Sequence, residues 1–235
     1  MNEIIAFHGW GCDEKIWQEW KYFFPKEEYI WKSFNRGYFH SSPLNPDWDL
    51  SLKNKRIIIC HSLGLHFINP KTISNASKII LINSFSKFLT DSKTKEKAIK
   101  NILLMQDKFR SNMGLEAIYE FISKGFYPNT IDNRFSKFLE DKKIKINNNK
   151  LLEDLKLIYE TEELPKGFHK NIDIIIIESK RDYILPVNSN KKLYYDLNQI
   201  KNKNINKILL KDQGHFIGSL SFMPELIRLI NSINA

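Results

Sequence analysis

The apolar positions of the chain follow two different spacings, and the two alternate along the sequence. Short continuous runs, most of them rich in isoleucine, are typical of strands buried in a parallel sheet. They occupy residues 3–7, 29–34, 56–60, 78–83, 172–177 and 205–210. Apolar residues spaced three or four apart predict amphipathic helices at 14–24, 63–67, 191–197 and 224–233. Strands that alternate with helices predict βαβ units and therefore a parallel sheet.

The pattern changes between residues 86 and 165, where strand-like runs are absent and only helical spacing is found. Three apolar helix faces recur there, formed by Ile99, Ile102, Leu103 and Met105, by Leu115, Ile118, Phe121 and Ile122, and by Leu151, Leu152, Leu155 and Ile158. A separate helical domain is one explanation. We favour a helical cap at 86–165 that lies over the strand ends of an α/β core made of residues 1–85 and 166–235.

Composition narrows the class of protein. A chain of 235 residues with 42% hydrophobic residues can bury a sizeable core, and none of its apolar runs reaches the roughly 18 residues of a membrane span. The first residues lack the basic and apolar segments of a signal peptide. A disulfide between Cys12 and Cys60 has no support in the pattern, and we expect a reduced, cytoplasmic protein.

The formal net charge of +9 attracts anionic partners by long-range steering. No nucleic-acid-binding motif and no block of five like charges is found, so we expect neither nucleic acid nor a membrane as a partner. Two interpretations remain, an acidic carrier protein as the partner or a basic surface that is merely solvated. The chain is expected to act as a monomer.

A candidate nucleophile follows the third predicted strand. The isoleucine run at 57–59 leads into Ser62, with the small residues Cys60 and Gly64 two positions to either side. This spacing is typical of a nucleophile elbow, a turn too tight for bulky neighbours. An ordinary strand-to-helix turn would show the same residues. A helix that starts just after Ser62 would point its first N–H groups toward any oxyanion that develops there.

The first predicted strand ends in His8, Gly9, Trp10 and Gly11. Glycines here allow a sharp turn and a close approach of the backbone to a ligand. Such a loop can direct a backbone N–H into a site, as an oxyanion hole requires. The same tetrapeptide is compatible with a plain turn in which Trp10 fills a hydrophobic gap.

An aspartate and a histidine follow the last two predicted strands. Asp182 comes after the strand at 172–177, and His215 after the strand at 205–210. Each residue alone is more often a turn former or a surface group. The order serine, aspartate, histidine, each beyond a strand of one parallel sheet, is however the chain order of the α/β-hydrolases. We therefore predict a catalytic triad of Ser62, Asp182 and His215.

Four short motifs together carry a family resemblance. They are His8-Gly9-Trp10-Gly11, His61-Ser62-Leu63-Gly64, Arg181-Asp182-Tyr183-Ile184-Leu185-Pro186 and Gly214-His215-Phe216. With them the chain resembles small, capped esterases of the α/β-hydrolase superfamily, and among these the pimeloyl-[acyl-carrier protein] methyl ester esterases of biotin synthesis. The resemblance covers nearly the whole chain. Cys60 and Leu65 stand where many relatives carry glycine.

The resemblance implies an α/β-hydrolase fold, with a mostly parallel sheet flanked by helices and an all-helical cap inserted between strands. It implies a serine carboxylesterase that needs no metal and no organic cofactor, with backbone N–H groups of Trp10 and Leu63 as the oxyanion hole. The implied substrate is the methyl ester of pimeloyl-acyl carrier protein. Trp10 and the cap residue Phe121 would contact the acyl chain, and Arg134 and Lys137 would contact the acidic carrier.

Two other functions fit the same residues. The first is a general carboxylesterase or thioesterase that acts on small soluble acyl substrates. The second is a non-catalytic binding protein with the hydrolase fold. A fluorophosphonate adduct that depends on Ser62 and His215 would separate an enzyme from the binding protein. Turnover of carrier-bound against free esters would separate the two kinds of enzyme.

Overall fold

One parallel sheet forms the centre of the protein in the computed structural model, which describes residues 1–39, 42–51, 54–90, 92–131, 145–186, 188–200 and 204–231. The strands are β1 (Asn2–Phe7), β2 (Tyr29–Ser33), β3 (Arg56–His61), β4 (Lys78–Ile82), β5 (Asp173–Ser179) and β6 (Ile205–Leu210). Their order across the sheet is β2-β1-β3-β4-β5-β6, and every neighbouring pair is parallel. The predicted parallel sheet is confirmed.

The isoleucine runs form strands because both faces of the sheet are covered. Ile57 and Ile59 join one hydrophobic cluster, while Ile58 between them joins another on the opposite face. The register pairs Phe7 of β1 with Cys60 of β3, so these strands end at the same edge of the sheet. The edge strands β2 and β6 keep partly exposed positions, as expected for strands with one neighbour.

The described helices are α1 (Pro70–Ser74), α2 (Ser92–Arg110), α3 (Gly114–Phe126), α4 (Asn148–Glu160), α5 (Ser189–Gln199) and α6 (Met223–Asn231). Helices α2, α3 and α4 lie between β4 and β5 in the chain, and α2 packs against both of the others. Their apolar faces form one hydrophobic cluster with Trp10, Phe85 and Phe216. The limits of a cap domain at 86–165 stay a prediction. None of the described helices combines the length and the apolar character that crossing a membrane requires.

The helical pattern at 14–24 was wrong as a prediction of one helix. The segment forms two short 3₁₀ helices, Glu14–Trp17 and Trp20–Phe23. The physical reason is the burial of two wide indoles, because Trp17 and Trp20 pack edge to face in the core with ring centroids 5.4 Å apart. The helix predicted after β3 is also 3₁₀, over Ser62–Phe67.

Candidate active site

Ser62 stands in the turn that joins β3 to the 3₁₀ helix Ser62–Phe67. Its φ angle is 55°, in the left-handed region that few residues other than glycine adopt. Backbone strain of this kind concentrates at functional sites, and a sharp strand-to-helix turn is what a nucleophile elbow requires. Only 7% of the residue is exposed, and it borders a cavity.

Two glycines allow the turn at Ser62 to lie against the loop that follows β1. A β-carbon on Gly64 would lie only 2.6 Å from the carbonyl oxygen of Phe7 and 2.8 Å from that of His8. A β-carbon on Gly9 would lie 2.9 Å from Ser62 Cβ. Neither position has room for a side chain, so the glycines are required by the close approach of the two segments.

The two cysteines do not compete with Ser62 as nucleophiles. Cys12 and Cys60 are both buried, free thiols. Burial raises the pKa of Cys60 to about 12 and the pKa of Cys12 well above its usual value. Because the thiolate is the reactive form, both side chains are inert at neutral pH.

His215 and Asp182 are joined by a hydrogen bond of 2.7 Å between Nδ1 and Oδ2. They lie in the loops after β6 and β5, which are neighbours in the sheet, and their side chains are 0% and 5% exposed. Burial alone would raise the pKa of Asp182, but the charge and hydrogen bond of His215 and the N–H groups of Leu185 and Ile184 outweigh it and lower the pKa. Asp182 is therefore ionised and keeps Nδ1 protonated.

The other ring nitrogen of His215, Nε2, is buried and makes no hydrogen bond to any described residue. Since Nδ1 is occupied by Asp182, Nε2 is the atom with a lone pair that can accept a proton. Ser62 and Asp182 border the same cavity. The structure thus brings the aspartate and the histidine into contact and places the serine at the same cavity, without a hydrogen bond from Ser62 to Nε2.

The backbone of His215 is held by two side chains to which the sequence pattern assigned no role. Asn83 Nδ2 donates to the carbonyl oxygen of His215 over 2.8 Å, and His61 Nε2 donates to the same oxygen over 2.9 Å. Asn83 also accepts from the N–H of Ser179 at the end of β5, over 2.8 Å. The available signal was a polar residue at the end of a predicted buried strand, whereas Asp182 lies several residues beyond the end of its strand.

The buried histidines His8 and His61 form hydrogen bonds with backbone atoms around the site. Burial lowers the pKa of His61 to about 3, with the nearby His215 acting in the same direction, and burial lowers the pKa of His8 to about 4. The N–H of Arg36 donates to His8 Nε2 over 3.0 Å. His8 Nδ1 therefore carries the proton and donates to the carbonyl oxygen of Gly9 over 2.8 Å.

The predicted oxyanion donors, the backbone N–H groups of Trp10 and Leu63, belong to two adjoining segments. Leu63 is the second residue of the 3₁₀ helix Ser62–Phe67, so its N–H has no acceptor within that helix. Trp10 is buried, and its indole N–H donates to the carbonyl oxygen of Leu151 on α4 over 2.9 Å. The side chain of Trp10 is therefore bonded to an inserted helix and does more than fill a gap.

Ser62 and Trp10 border a cavity of about 580 Å³. Most of its wall is apolar, and the apolar side chains from α2, α3, α4 and the segment before α2 are Phe85, Phe88, Ala98, Ile102, Met105, Phe121, Leu155 and Ile158. Phe121 lies on α3 with its ring centroid 5.0 Å from that of Trp10. Lys97 and Lys124 also border the cavity. Such a cavity can enclose an extended apolar chain with a polar group near its end.

Some of the predicted features fall beyond the described structure. Arg134 and Lys137, the cations predicted to meet a carrier protein, lie outside the described residues. Within the described ranges, no group of three or more His, Cys, Asp and Glu side chains is arranged to hold a metal ion.

Solved structures share this architecture, and three of them illustrate the likeness. A bromoperoxidase from Bacillus anthracis is 15% identical and covers 98% of this chain and 92% of its own, with a TM-score of 0.73. An esterase (EaEST) from Exiguobacterium antarcticum is 16% identical, with a TM-score of 0.73. The match covers 99% of this chain and 92% of the esterase. An enol-lactonase from Burkholderia xenovorans LB400 is 11% identical, with a TM-score of 0.67. The match covers 99% of this chain and 91% of the enol-lactonase.

No protein-family model and no curated protein matches the sequence. The structural likeness nevertheless extends over nearly all of both chains, and it confirms the predicted α/β-hydrolase fold. At such low identities the shared property is the fold, and one fold hosts many reactions. The reaction therefore depends on the groups at the carboxyl edge of the sheet.

Proposed function

We propose that the protein is a serine hydrolase of carboxylic esters, with Ser62 as nucleophile, His215 as general base and Asp182 as the residue that orients the base. The observation that carries the proposal is the buried Asp182–His215 pair at the cavity that Ser62 borders. Nε2 of His215 has no hydrogen-bond partner among the described residues and is thus available to take a proton. The fold is compatible with this chemistry, since one of the solved structures that share it is an esterase.

Acylation begins with a neutral serine, which is a weak nucleophile. In the proposed step Ser62 Oγ comes within about 3 Å of His215 Nε2 and attacks the ester carbonyl carbon while Nε2 takes its proton. The N–H groups of Trp10 and Leu63 donate to the oxyanion, and the loss of one such donor typically costs about 3–4 kcal/mol of barrier. The imidazolium then protonates the leaving alcohol, and an acyl-Ser62 ester remains.

Deacylation repeats the same proton transfers with water as the nucleophile. Water attacks the acyl carbon, its proton passes to Nε2 of His215, and the collapse of the intermediate returns that proton to Ser62 Oγ. The free carboxylic acid leaves. The lowered pKa of Asp182 keeps its carboxylate ionised near neutral pH, so that it can stabilise the imidazolium in both halves of the cycle.

Within this class the substrate that we propose is the methyl ester of pimeloyl-acyl carrier protein, in cytoplasmic biotin biosynthesis. The apolar cavity suits a medium-length acyl chain, with Phe121 and Trp10 beside it. The net charge of +9 favours an anionic carrier, and Lys97 and Lys124 border the cavity together with Glu120. Arg134 and Lys137 would add to this attraction. Methanol and the free carboxylate would be the products, with no metal or organic cofactor.

The chemistry is tested by labelling with a fluorophosphonate, which loses fluoride as the serine oxygen bonds to phosphorus. We expect one adduct on the wild-type protein and none on Ser62→Ala. Ser84→Ala is the matched control, because Ser84 is a second buried serine at this sheet edge whose hydroxyl bonds the carbonyl oxygens of Cys60 and Ile82. Labelling that persists in a folded Ser62→Ala variant would contradict the proposal.

The substrate is tested by comparing kcat/KM for carrier-bound pimeloyl methyl ester with kcat/KM for free short-chain esters. We expect the carrier-bound ester to be preferred, and we expect the wild type but not Ser62→Ala to rescue a biotin-requiring strain that lacks its own pimeloyl esterase. A preference for free esters in both kcat and KM would indicate a general carboxylesterase. If the protein showed neither fluorophosphonate labelling nor ester turnover, it would be a binding protein.

A further inference from the structure

Two sets of hydrogen bonds connect helix α4 to the loop after β1, and they start about one helical turn apart on the helix. The carbonyl oxygen of Leu151 accepts from the Trp10 indole over 2.9 Å. Three residues later, the carboxylate of Asp154 accepts Nε and Nη2 of Arg36 at 2.7 Å each and the hydroxyl of Tyr38 at 2.7 Å. The Asp154 side chain is only 2% exposed. Its two oxygens are thus occupied by three protein donors in a buried setting.

The second set of hydrogen bonds continues from Arg36 through His8 to the Gly9–Trp10 peptide unit, whose N–H is a proposed oxyanion donor. The backbone N–H of Arg36 donates to His8 Nε2, and His8 Nδ1 donates to the carbonyl oxygen of Gly9. That oxygen and the N–H of Trp10 belong to the same peptide unit. Because a peptide unit is planar, fixing the direction of the Gly9 oxygen also fixes the direction of the Trp10 N–H.

We propose that Asp154, on a helix inserted between β4 and β5, is a positioning residue for the backbone N–H of Trp10. The proposal rests on the hydrolase function proposed above. Asp154 does not touch the reacting atoms and acts through Arg36 and His8. A bidentate, charge-assisted pair has a narrow geometry. Its loss lets the Gly9–Trp10 peptide turn, which weakens the hydrogen bond to the oxyanion and leaves the apolar wall for the substrate in place.

The test uses Asp154→Asn, which removes the charge and keeps the shape. We measure kcat and KM for p-nitrophenyl hexanoate, and Ki for two ketones of equal chain length. Ser62 Oγ adds to the carbonyl carbon of the hexyl trifluoromethyl ketone while the serine proton passes to His215 Nε2, so the ketone oxygen becomes an oxyanion in the hole. The hexyl methyl ketone only occupies the cavity. We expect about a tenfold loss in kcat and in trifluoromethyl ketone affinity, with KM and methyl ketone Ki changed by less than about twofold.

Two further variants separate positioning from folding. Glu153→Gln makes the same chemical change at an exposed neighbour on α4, which pairs with Lys150 over 3.5 Å, and we expect wild-type constants. If Asp154→Asn does not fold, the double variant Arg36→Met/Asp154→Leu replaces the buried ion pair by apolar side chains, which often preserves stability. It is expected to show the same roughly tenfold loss in kcat and in trifluoromethyl ketone affinity.

Each outcome has one meaning. A wild-type protein that neither turns over the ester nor reacts with a fluorophosphonate removes the proposed function itself. An active wild type beside a folded Asp154 variant with unchanged kcat and unchanged trifluoromethyl ketone Ki overturns the positioning role alone. Equal losses for both ketones also overturn it, because they would indicate a damaged cavity and not a misdirected N–H.

Discussion

The sheet edge and the inserted helices contribute to the site by different means. At the edge, β3, β5 and β6 each lead into one predicted catalytic residue, Ser62, Asp182 and His215. A continuous ladder of backbone hydrogen bonds sets the spacing of these strands. Helices α2, α3 and α4 take no part in that ladder, and specific side chains attach them to the core, as the Trp10–Leu151 and Arg36–Asp154 contacts do.

This difference separates chemistry from binding. Backbone ladders depend little on which residues occupy the strands, so the reactive groups keep their places while the sequence changes. Side-chain attachments and the cavity wall depend on particular residues, so the substrate-binding part varies with the sequence of the inserted helices. Variants at the sheet edge are therefore expected to change kcat, and variants of the cavity wall are expected to change KM. Asp154, which lies on an inserted helix but touches no substrate, is the proposed exception.

The largest effect is expected on the sheet side, for Asp182→Asn. The amide keeps the size of the carboxylate but favours the wrong tautomer of His215 and cannot stabilise its charged form, so kcat should fall by about 10⁴-fold with little change in KM. Steady-state hydrolysis of a p-nitrophenyl ester measures both constants. Asp212→Asn is the control, an exposed carboxylate in the same region that pairs with Arg181 over 3.5 Å. A folded Asp182→Asn protein with wild-type kcat would show that the pair is not catalytic.

The next largest effect is expected from acid, which should lower the free energy of unfolding by protonating His8 and His61. Both residues again lie on the sheet side of the site. Their folded-state pKa values of about 4 and about 3 lie below the usual 6.5, so the unfolded chain binds protons first as the pH falls. The contribution of these two histidines to the free energy of unfolding should therefore be constant well above pH 6.5 and decrease below it, by roughly 3 kcal/mol for His8 when its titration is complete.

Urea unfolding at several pH values measures this slope. Removing one titrating group in His61→Gln should make the decrease between about pH 6.5 and pH 5 shallower. An identical slope in wild type and His61→Gln would mean that His61 is not held neutral by burial.

A smaller effect is expected for Asn83→Gly, which tests the support behind His215. Glycine adopts the φ of 43° found at this position, so the change removes the amide bonds without adding strain. We expect kcat to fall by about tenfold because one of the two donors to the His215 carbonyl is lost. Asn112→Gly is a matched control, since Asn112 also has a positive φ, 61°, in an exposed turn. Equal activities of the two variants would exclude a supporting role.

The smallest effect is expected on the side of the inserted helices, for Phe121→Ala. Loss of the ring shortens the apolar wall beside Trp10, so KM for a hexanoate ester should rise about fivefold while KM for the acetate ester changes little. Tyr119→Ala on the same helix is the control, because that side chain is 46% exposed. An equal change for both chain lengths would argue against contact between Phe121 and the acyl chain.

Strands were easier to predict than helices in this chain. The run at 205–210 coincides with β6, and the run at 172–177 differs from β5 by one residue at its start and two at its end. A strand buried on both faces needs apolar residues at every position, which is a local property. The spacing at 14–24 did not distinguish an α-helix from two 3₁₀ turns, because the docking of Trp17 and Trp20 on the core decided between them.

The sequence by itself determined the order of strands and helices and the three side chains most suited to ester hydrolysis, since both depend on local pattern and chain order. Only the tertiary structure decided what holds those side chains. Asn83 bonds the carbonyl of His215 across 132 residues of chain, and Arg36 bonds Asp154 across 118. Such contacts depend on the direction in which a side chain leaves the folded backbone, and neither composition nor spacing encodes that direction.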